Sequence, residues 1–329
     1  MRQSEQTTDV PTIAVTGAAG FIGSRVVNRI QATHPEWNVI ALDNFYLGTV
    51  HTIGNVDVQH VDIRNRNRLE STLEGADIVM HLAAISGVDD CDSDRDLAYD
   101  VNTRGTANVA WFCRKNGTGL IFPFSMAVLG DPESFPITAD LPRDPMNWYG
   151  RTKLIGEHTI EDMASDAFPA HLFLKSNLYG EHEIDGRTIS KGTVINLFVN
   201  WVFSDQQLTV YEPGTQSRNY VHVKDVARAY VRSAEVMLNE LAAGETGTRR
   251  YEIASREDPS VLEVGKLVAQ IASTEADIHK EVVLIENPRS SETLTPDFAV
   301  DTSKTHNELG WEVKHSVEES IRELIRKKI

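Results

Sequence analysis

Tyr149 and Lys153 stand four residues apart, a spacing that puts both side chains on one face of a helix. An ammonium beside a phenol lowers the phenol's pKa, and so does the positive ring of an oxidised nicotinamide. A phenolate formed in this way takes a proton from a substrate hydroxyl while hydride leaves the same carbon. Alone, a Tyr-x-x-x-Lys pair is common. Ser125 sharpens it, because it ends the apolar run 119–125, and doubly wound folds gather their ligands at the C-terminal ends of strands. Its hydroxyl is placed to bond the substrate oxygen or the tyrosine.

A second constellation lies near the start. Gly17, Gly20 and Gly23, with Phe21 and Ile22 between the last two, follow the apolar run 12–16 and open a helical pattern that reaches about His34. Such glycines allow a tight turn and close approach of a pyrophosphate, and the helix N-terminus offers its N–H groups to the phosphate charge. Asp43, followed by Asn44, ends the next strand pattern at 39–43. A carboxylate at this position, ~20 residues past the glycines, holds the adenosine ribose hydroxyls and repels a 2′-phosphate. The expected cofactor is therefore NAD rather than NADP. Asp62 and Ile63 close a third strand and face the adenine. Leu82, Ala83 and Ala84 close a fourth, where small residues let a cofactor lie close, whereas His81 reads as structural. The chemistry asks for no metal.

The elements that must position these groups alternate. Strand patterns at 12–16, 39–43, 56–61, 77–82, 119–125 and 170–177 are separated by helical stretches, including 95–115, which Asn116-Gly117 ends, and 149–164. This alternation predicts an α/β fold: a Rossmann-type, doubly wound parallel sheet. After residue 177 the pattern is less regular. A polar loop at 181–191 with a turn at Asp185-Gly186 is followed by a helix at 192–203, a strand at 208–211 and a helix at 223–240. A small polar linker at 242–248, a helix at 261–271, a strand at 282–285 and a helix at 317–328 complete the chain. The expected division is a polar segment at 1–11, an NAD-binding domain at 12–177 and a mainly substrate-binding part at 178–329, with some elements returning to the first sheet.

Composition narrows the partners. A chain of 329 residues can bury a large core. Its net charge of −16 repels nucleic acid and anionic membranes, so neither is expected as a partner. An anionic substrate must then meet a local basic pocket. Arginine outnumbers lysine, and an acidic surface poor in lysine suits a salty cytoplasm. Two cysteines, Cys91 and Cys113, make no disulfide framework in a chain this long. The polar N-terminal segment lacks the apolar core of a signal peptide, and no apolar run approaches the ~20 residues that span a membrane. The expected location is the cytoplasm.

Together these residues resemble the extended short-chain dehydrogenase/reductase family, in particular its nucleotide-sugar epimerases and dehydratases of the UDP-glucose 4-epimerase-like kind. The resemblance runs through residues 16–23, 81–84, Val101-Asn102 with Gly105-Thr106, 125–130, 149–153, 177–180 and 218–227. It ends with Pro288-Arg289, residues 301–304 and Leu309-Gly310-Trp311. It implies that Ser125, Tyr149 and Lys153 are the catalytic triad and that Asn102 joins the cofactor site. Ser86, Asn177, Tyr211, Arg218 and Arg289 would then meet the substrate, a nucleotide-diphosphate sugar. Tyr211 would pack on the nucleobase, and the two arginines would grip the diphosphate, since guanidinium forks pair with phosphate oxygens. The helices at 95–115 and 149–164 resemble those that pair as a four-helix bundle in family homodimers. The implied activity is an NAD-dependent nucleotide-sugar epimerase, of the UDP-hexose 4-epimerase type, working through a transient keto-sugar. The alternative is a net dehydrogenase that releases NADH. A non-catalytic NAD-binding regulator is disfavoured by retention of the triad.

The chain also departs from the family pattern. Phe122-Pro123-Phe124 replaces a serine-rich run before Ser125, and Leu129 replaces a tyrosine before Gly130. Leu174 and Lys175 stand where an arginine and an apolar or aromatic residue are usual. Ser86 stands where galactose epimerases often carry a lysine. Met126 and Ala127 occupy positions where the family's dehydratases place acidic groups, so loss of water from the sugar is not expected.

Overall fold

The computed structural model describes residues 10–288, 295 and 297–329. In chain order, β1 (Thr12–Thr16), α1 (Phe21–Thr33), β2 (Asn38–Asp43), β3 (Thr52–Ile53), β4 (Val56–His60), α2 (Arg66–Leu73) and β5 (Ile78–His81) come first. They are followed by α3 (Val88–Ser93), α4 (Arg95–Tyr99), a π-helical stretch at Asp100–Gly105, α5 (Thr106–Asn116), β6 (Gly119–Ser125), a 3-10 turn at Met126–Val128, α6 (Trp148–Ala164) and β7 (Pro169–Lys175). Then come β8 (Asn177–Tyr179), β9 (Glu181–Ile184), β10 (Arg187–Ser190), α7 (Val194–Val202), β11 (Leu208–Tyr211), β12 (Tyr220–His222) and α8 (Val223–Ala243). The last elements are β13 (Gly247–Ile253), α9 (Val261–Ala276), β14 (Val282–Ile285), α10 (Ser303–Leu309) and α11 (Val317–Arg326).

The central sheet has eight strands in the order β13-β7-β6-β5-β1-β2-β4-β3. All of its pairings are parallel except that of β3 with β4. Its middle strands are buried on both faces, β5 throughout and β6 up to Ser125, as parallel strands covered by helices must be. One apolar core packs α5 and α6 on one face, and a second packs α1 and α8 on the other. A third joins α7, α9 and α11 away from the sheet. β1 pairs β2 on one side and β5 on the other, so the strand order reverses beside β1 and opens a crevice at the strand ends.

The doubly wound α/β sheet is as expected, with three local differences. Residues 242–248 are not a linker: α8 ends at Gly244 in the left-handed conformation, and β13 begins at Gly247 and pairs β7 over seven residues. The loop at 181–191 is an antiparallel hairpin of β9 and β10. Its turn residues, Asp185 (φ 48°) and Gly186 (φ 77°), both take positive φ, as a two-residue hairpin turn matching strand twist requires. The long helix at 95–115 is interrupted at Asp100–Gly105. That interruption carries the buried Asn102 side chain toward the segment after β5.

Candidate active site

A cleft of about 970 Å³ runs along the C-terminal ends of the sheet strands. At one end it meets the turn between β1 and α1. Gly17 has φ +69°, and a Cβ there would lie 2.6 Å from the Ala83 backbone nitrogen. A Cβ on Gly23 would lie 2.1 Å from the Gly17 carbonyl oxygen. Side chains at either position would drive the turn off the strand ends. Gly20 caps α1 without a side chain, so the first turn presents backbone N–H groups to the cleft, where a phosphate is best held.

Asp43 is 9% exposed and fixes this turn, its Oδ2 accepting from the Ala19 N–H at 3.0 Å and its Oδ1 from the Phe45 N–H at 2.8 Å. Burial raises its pKa, and these backbone bonds oppose the rise. Asp62 is held at a pKa of about 2, chiefly by its hydrogen bonds from Arg64, and it also accepts from Asn44 Nδ2 at 3.4 Å.

His81 is structural. The Thr16 hydroxyl oxygen accepts the Leu82 and Ala83 N–H groups, both at 3.1 Å. With both lone pairs used, it donates to His81 Nδ1 at 2.7 Å, and the imidazole donates from Nε2 to the Thr106 hydroxyl at 3.0 Å. Burial pushes His81 down to about 3, so the ring stays neutral. The chain His81–Thr106–Asn102 backbone ties the glycine-loop strand to α5.

At the other end of the cleft, Ser125, Tyr149 and Lys153 come together. Asn147 caps α6 by accepting from the Gly150 N–H at 2.9 Å. A Cβ on Gly150 would lie 2.3 Å from the Ala127 carbonyl oxygen, so the bare glycine lets the start of α6 press against the turn that follows Ser125. The Ser125 side chain is close enough to the Tyr149 phenol to lower its pKa, and the Ser125 Oγ accepts from the Ala127 N–H at 3.3 Å.

Burial pushes Tyr149 up to about 12, against the nearby Ser125 hydroxyl, which lowers it. Lys153 is 4% exposed, and burial pushes it down to about 8. The expected lowering of the phenol by this lysine is therefore not what sets it. Both groups are desolvated, and each is shifted toward its neutral form. Lys153 Nζ lies 4.7 Å from the Phe122 ring centroid and has no hydrogen-bond acceptor among the described residues.

These features fit NAD. The bare glycine turn suits a pyrophosphate. Each Asp43 oxygen takes one N–H bond and keeps a lone pair for a ribose hydroxyl, and the Lys153 ammonium lacks an acceptor. When bound, NAD supplies the acceptor and later the donor of hydride.

The remaining expected residues divide. Phe21, Ile22, Asn44, Asp62, Ile63, Leu82, Ala83, Ala84, Ser86, Asn177 and Arg218 line the cleft, as do Met126 and Ala127. Asn102 does not line it. Its Oδ1 accepts from the Ile85 N–H at 2.9 Å, and its Nδ2 donates to the Ile85 carbonyl at 2.9 Å and to the Thr152 hydroxyl at 3.1 Å. It thus clamps the segment after β5 to the catalytic helix and shapes the site from behind. Tyr211 ends β11 and does not line the cleft either. Arg218 donates to the Ser217 carbonyl at 2.7 Å and lies 6.0 Å from the Phe298 ring. Arg289 lies outside the described residues.

Two cleft residues escaped the functional reading of the sequence. Lys175 registered there only as a departure from pattern. Lys191 had no signal at all, since it reaches Ser86 across 105 residues of sequence.

Comparison with known proteins agrees with this geometry. The NAD dependent epimerase/dehydratase family matches residues 13–253. The UDP-glucose 4-epimerase of Pisum sativum is 29% identical over 340 residues, covering 94% of this chain and 93% of that protein. Among solved structures, the UDP-glucose 4-epimerase of Thermotoga maritima with UDP-glucose is 25% identical. It has a TM-score of 0.82 and covers 96% of this chain and 99% of that one. MoeE5, solved in complex with UDP-glucuronic acid and NAD, is 24% identical with a TM-score of 0.80, covering 97% and 100%. At that identity the likeness carries the fold alone. Family, fold class and cofactor are as the sequence led us to expect.

Proposed function

This chain belongs to the NAD dependent epimerase/dehydratase family, and we propose that it is a UDP-hexose 4-epimerase. The observation that carries the proposal is the meeting of Ser125, Tyr149 and Lys153 at one end of a cleft whose other end is a dinucleotide turn. Ser125 bonds the sugar O4 and the tyrosine hydroxyl, so the reacting oxygen and its base are held in line. Tyr149, as phenolate, takes the O4 proton as C4 is oxidised to a 4-keto sugar, for which the bound NAD would supply the hydride acceptor. Lys153 holds positive charge beside the cofactor and the phenol, and so favours the ionised state that burial opposes.

Arg218, with Arg289 proposed beside it, grips the diphosphate while the ring turns over. Tyr149 gives the proton back to O4 when the keto sugar is reduced on its other face, for which the same bound cofactor would supply the hydride. No electron is gained or lost overall. Met126 and Ala127 carry no proton, so nothing next to Ser125 assists elimination of water.

In this reading residues 12–177 hold NAD and residues 178–329 mainly hold substrate, with α8 and β13 returning to the first sheet. Tyr99, Trp111 and Ile155 are exposed apolar residues on α4, α5 and α6, which supports a homodimer through those helices. No helix among the described residues is long and apolar enough to cross a membrane, and we place the protein in the cytoplasm. The test is incubation with UDP-, GDP-, CDP- and dTDP-sugars followed by chromatography and mass spectrometry. The expected result is interconversion of C4 epimers of a UDP-sugar, with no change in NADH absorbance. A product lighter by one water, or a ketone with accumulated NADH, contradicts the assignment.

A further inference from the structure

Lys175 and Lys191 have no part in the chemistry above. Lys175 ends β7 at the register position of Ser125 on β6, so the two side chains leave the same face of the sheet. Lys191 follows β10 and reaches the segment after β5. Its Nζ donates to the Ser86 hydroxyl at 2.7 Å and to the Ser86 carbonyl at 3.2 Å, and Ser86 follows β5. Because β6 lies between β7 and β5, the two ammonium groups flank the catalytic serine, and both line the cleft.

Among the described residues neither pairs with a carboxylate. The hydrogen bond of Lys175 is a 3.5 Å one to the Ser176 carbonyl, and those of Lys191 go to Ser86. Burial, followed by repulsion from Lys191 and Lys153, pushes Lys175 down to about 7. Burial lowers Lys191 as well, with Asp90 and Cys91 pulling it back. Asp89 and Asp92 also line this part of the cleft, against Lys153, Lys175, Lys191 and Arg218, and in a chain of net charge −16 that local excess of cations is no general property of the surface. Gathering like charges in a partly desolvated site costs stability unless an anion answers them.

That anion is not the diphosphate. The diphosphate hangs from C1, across the hexose ring from C4, and C4 is the atom Ser125 faces in the epimerase reading. The carbon nearest C4 that can carry a charge is C6, two bonds away through C5. We propose that the sugar turned over here bears a carboxylate at C6, making the substrate a UDP-hexuronate, and that Lys175 and Lys191 are its specificity residues. This rests on the epimerase reading for the placement of C4. The ring must show both faces at C4, a turn that swings C6 from one side of Ser125 to the other. A lysine on each side receives the carboxylate in either pose.

The experiment uses the NAD-loaded enzyme with UDP-glucuronate, UDP-glucose and UDP alone. Binding is measured by calorimetry and 4-epimerisation by initial rates, for the natural protein, Lys175→Met, Lys191→Met and Lys175→Arg. The natural protein should bind the uronate at least roughly tenfold more tightly than the neutral hexose. Each methionine variant should cut that preference by about 10- to 100-fold, the loss of one charged hydrogen bond. Lys175→Arg should keep most of it. UDP alone reports the nucleotide end.

A natural protein that prefers the neutral hexose, or methionine variants that weaken both sugars by the same factor, would overturn the proposal. Uronate preference in binding without turnover of either sugar would support carboxylate recognition and sink the epimerase reading. Turnover of UDP-glucose with no uronate preference would do the reverse.

Discussion

The two ends of the cleft differ in how their charged groups are answered. At the adenine end the charged groups facing the cofactor are carboxylates, and both are already satisfied: Asp43 by the Ala19 and Phe45 N–H groups, and Asp62 by Arg64 and Asn44. At the sugar end cations predominate: Lys153, Lys175, Lys191 and Arg218 line it together with Asp89 and Asp92. Among the described residues the first three have no acidic partner. The adenine end is finished before ligand arrives and needs only hydroxyls to fill its remaining lone pairs. The cofactor's own phosphates are left to backbone N–H groups. The sugar end holds an excess of desolvated positive charge that suits an anionic ligand. In a strongly acidic protein this division sorts the two ligands by position.

The comparison breaks most visibly at the phenol, where the two ends meet. Tyr149→Phe removes the acid/base but none of the contacts at the glycine turn. Turnover should fall by about 10²–10⁴, with NAD still retained on gel filtration. Near-normal turnover would remove Tyr149 from its role. A cation at the sugar end comes next. Arg218→Ala should raise the substrate constant by roughly 10- to 100-fold, the loss of a charged hydrogen bond, and leave NAD affinity nearly unchanged. An equal loss of both ligands would mean that the two ends are not separate.

The adenine end is sharpened by Asp43→Ala. The natural protein should bind NAD at least about tenfold better than NADP, and the variant should bring that ratio close to one in calorimetry. A ratio of one already in the natural protein would refute the carboxylate's part.

The smallest effect is on stability. Lys175 loses affinity for its proton on folding. Below about 7 both folded and unfolded chains hold that proton, and the cost of the buried charge is fully present. Between about 7 and the ordinary lysine value only the unfolded chain still binds it, so stability rises with pH through that window. Lys175→Met should therefore raise Tm by roughly 2–4 °C at pH 6, with the gain shrinking toward pH 9. A lowered Tm at pH 6 would mean that the ammonium is stabilised by its surroundings.

The adenine end was the more legible in sequence, for a physical reason. Its residues sit at the ends of consecutive strands, so Gly17, Asp43, Asp62 and Leu82 fall at predictable points of a regular alternation. Tyr149 and Lys153 were legible because a helix places positions four apart on one face. The sugar end draws instead on hairpins and short strands. Lys191 reaches Ser86 only because β9 and β10 fold back as a hairpin, and that segment reads as a polar loop when its alternation is short. β13 was hidden in the same way, since its first residues, Gly247-Thr248-Arg249-Arg250, are small or charged and it lies on the sheet edge, where apolar continuity is not demanded. Asn102 shows a different limit. The family resemblance implies a cofactor contact for it, whereas its hydrogen bonds hold the backbone of Ile85, a role that requires knowing which loop lies above it.

The central claim is that one hydride leaves C4 and returns to the same carbon within a single protein-bound cycle. It is tested most directly with a UDP-hexose or UDP-hexuronate carrying deuterium at C4, incubated in ordinary water and read by mass spectrometry and NMR. The account predicts that the C4 epimer forms with its deuterium fully retained at C4 and with no NADH released. Loss of the label to solvent, or its appearance in free NADH, would contradict it.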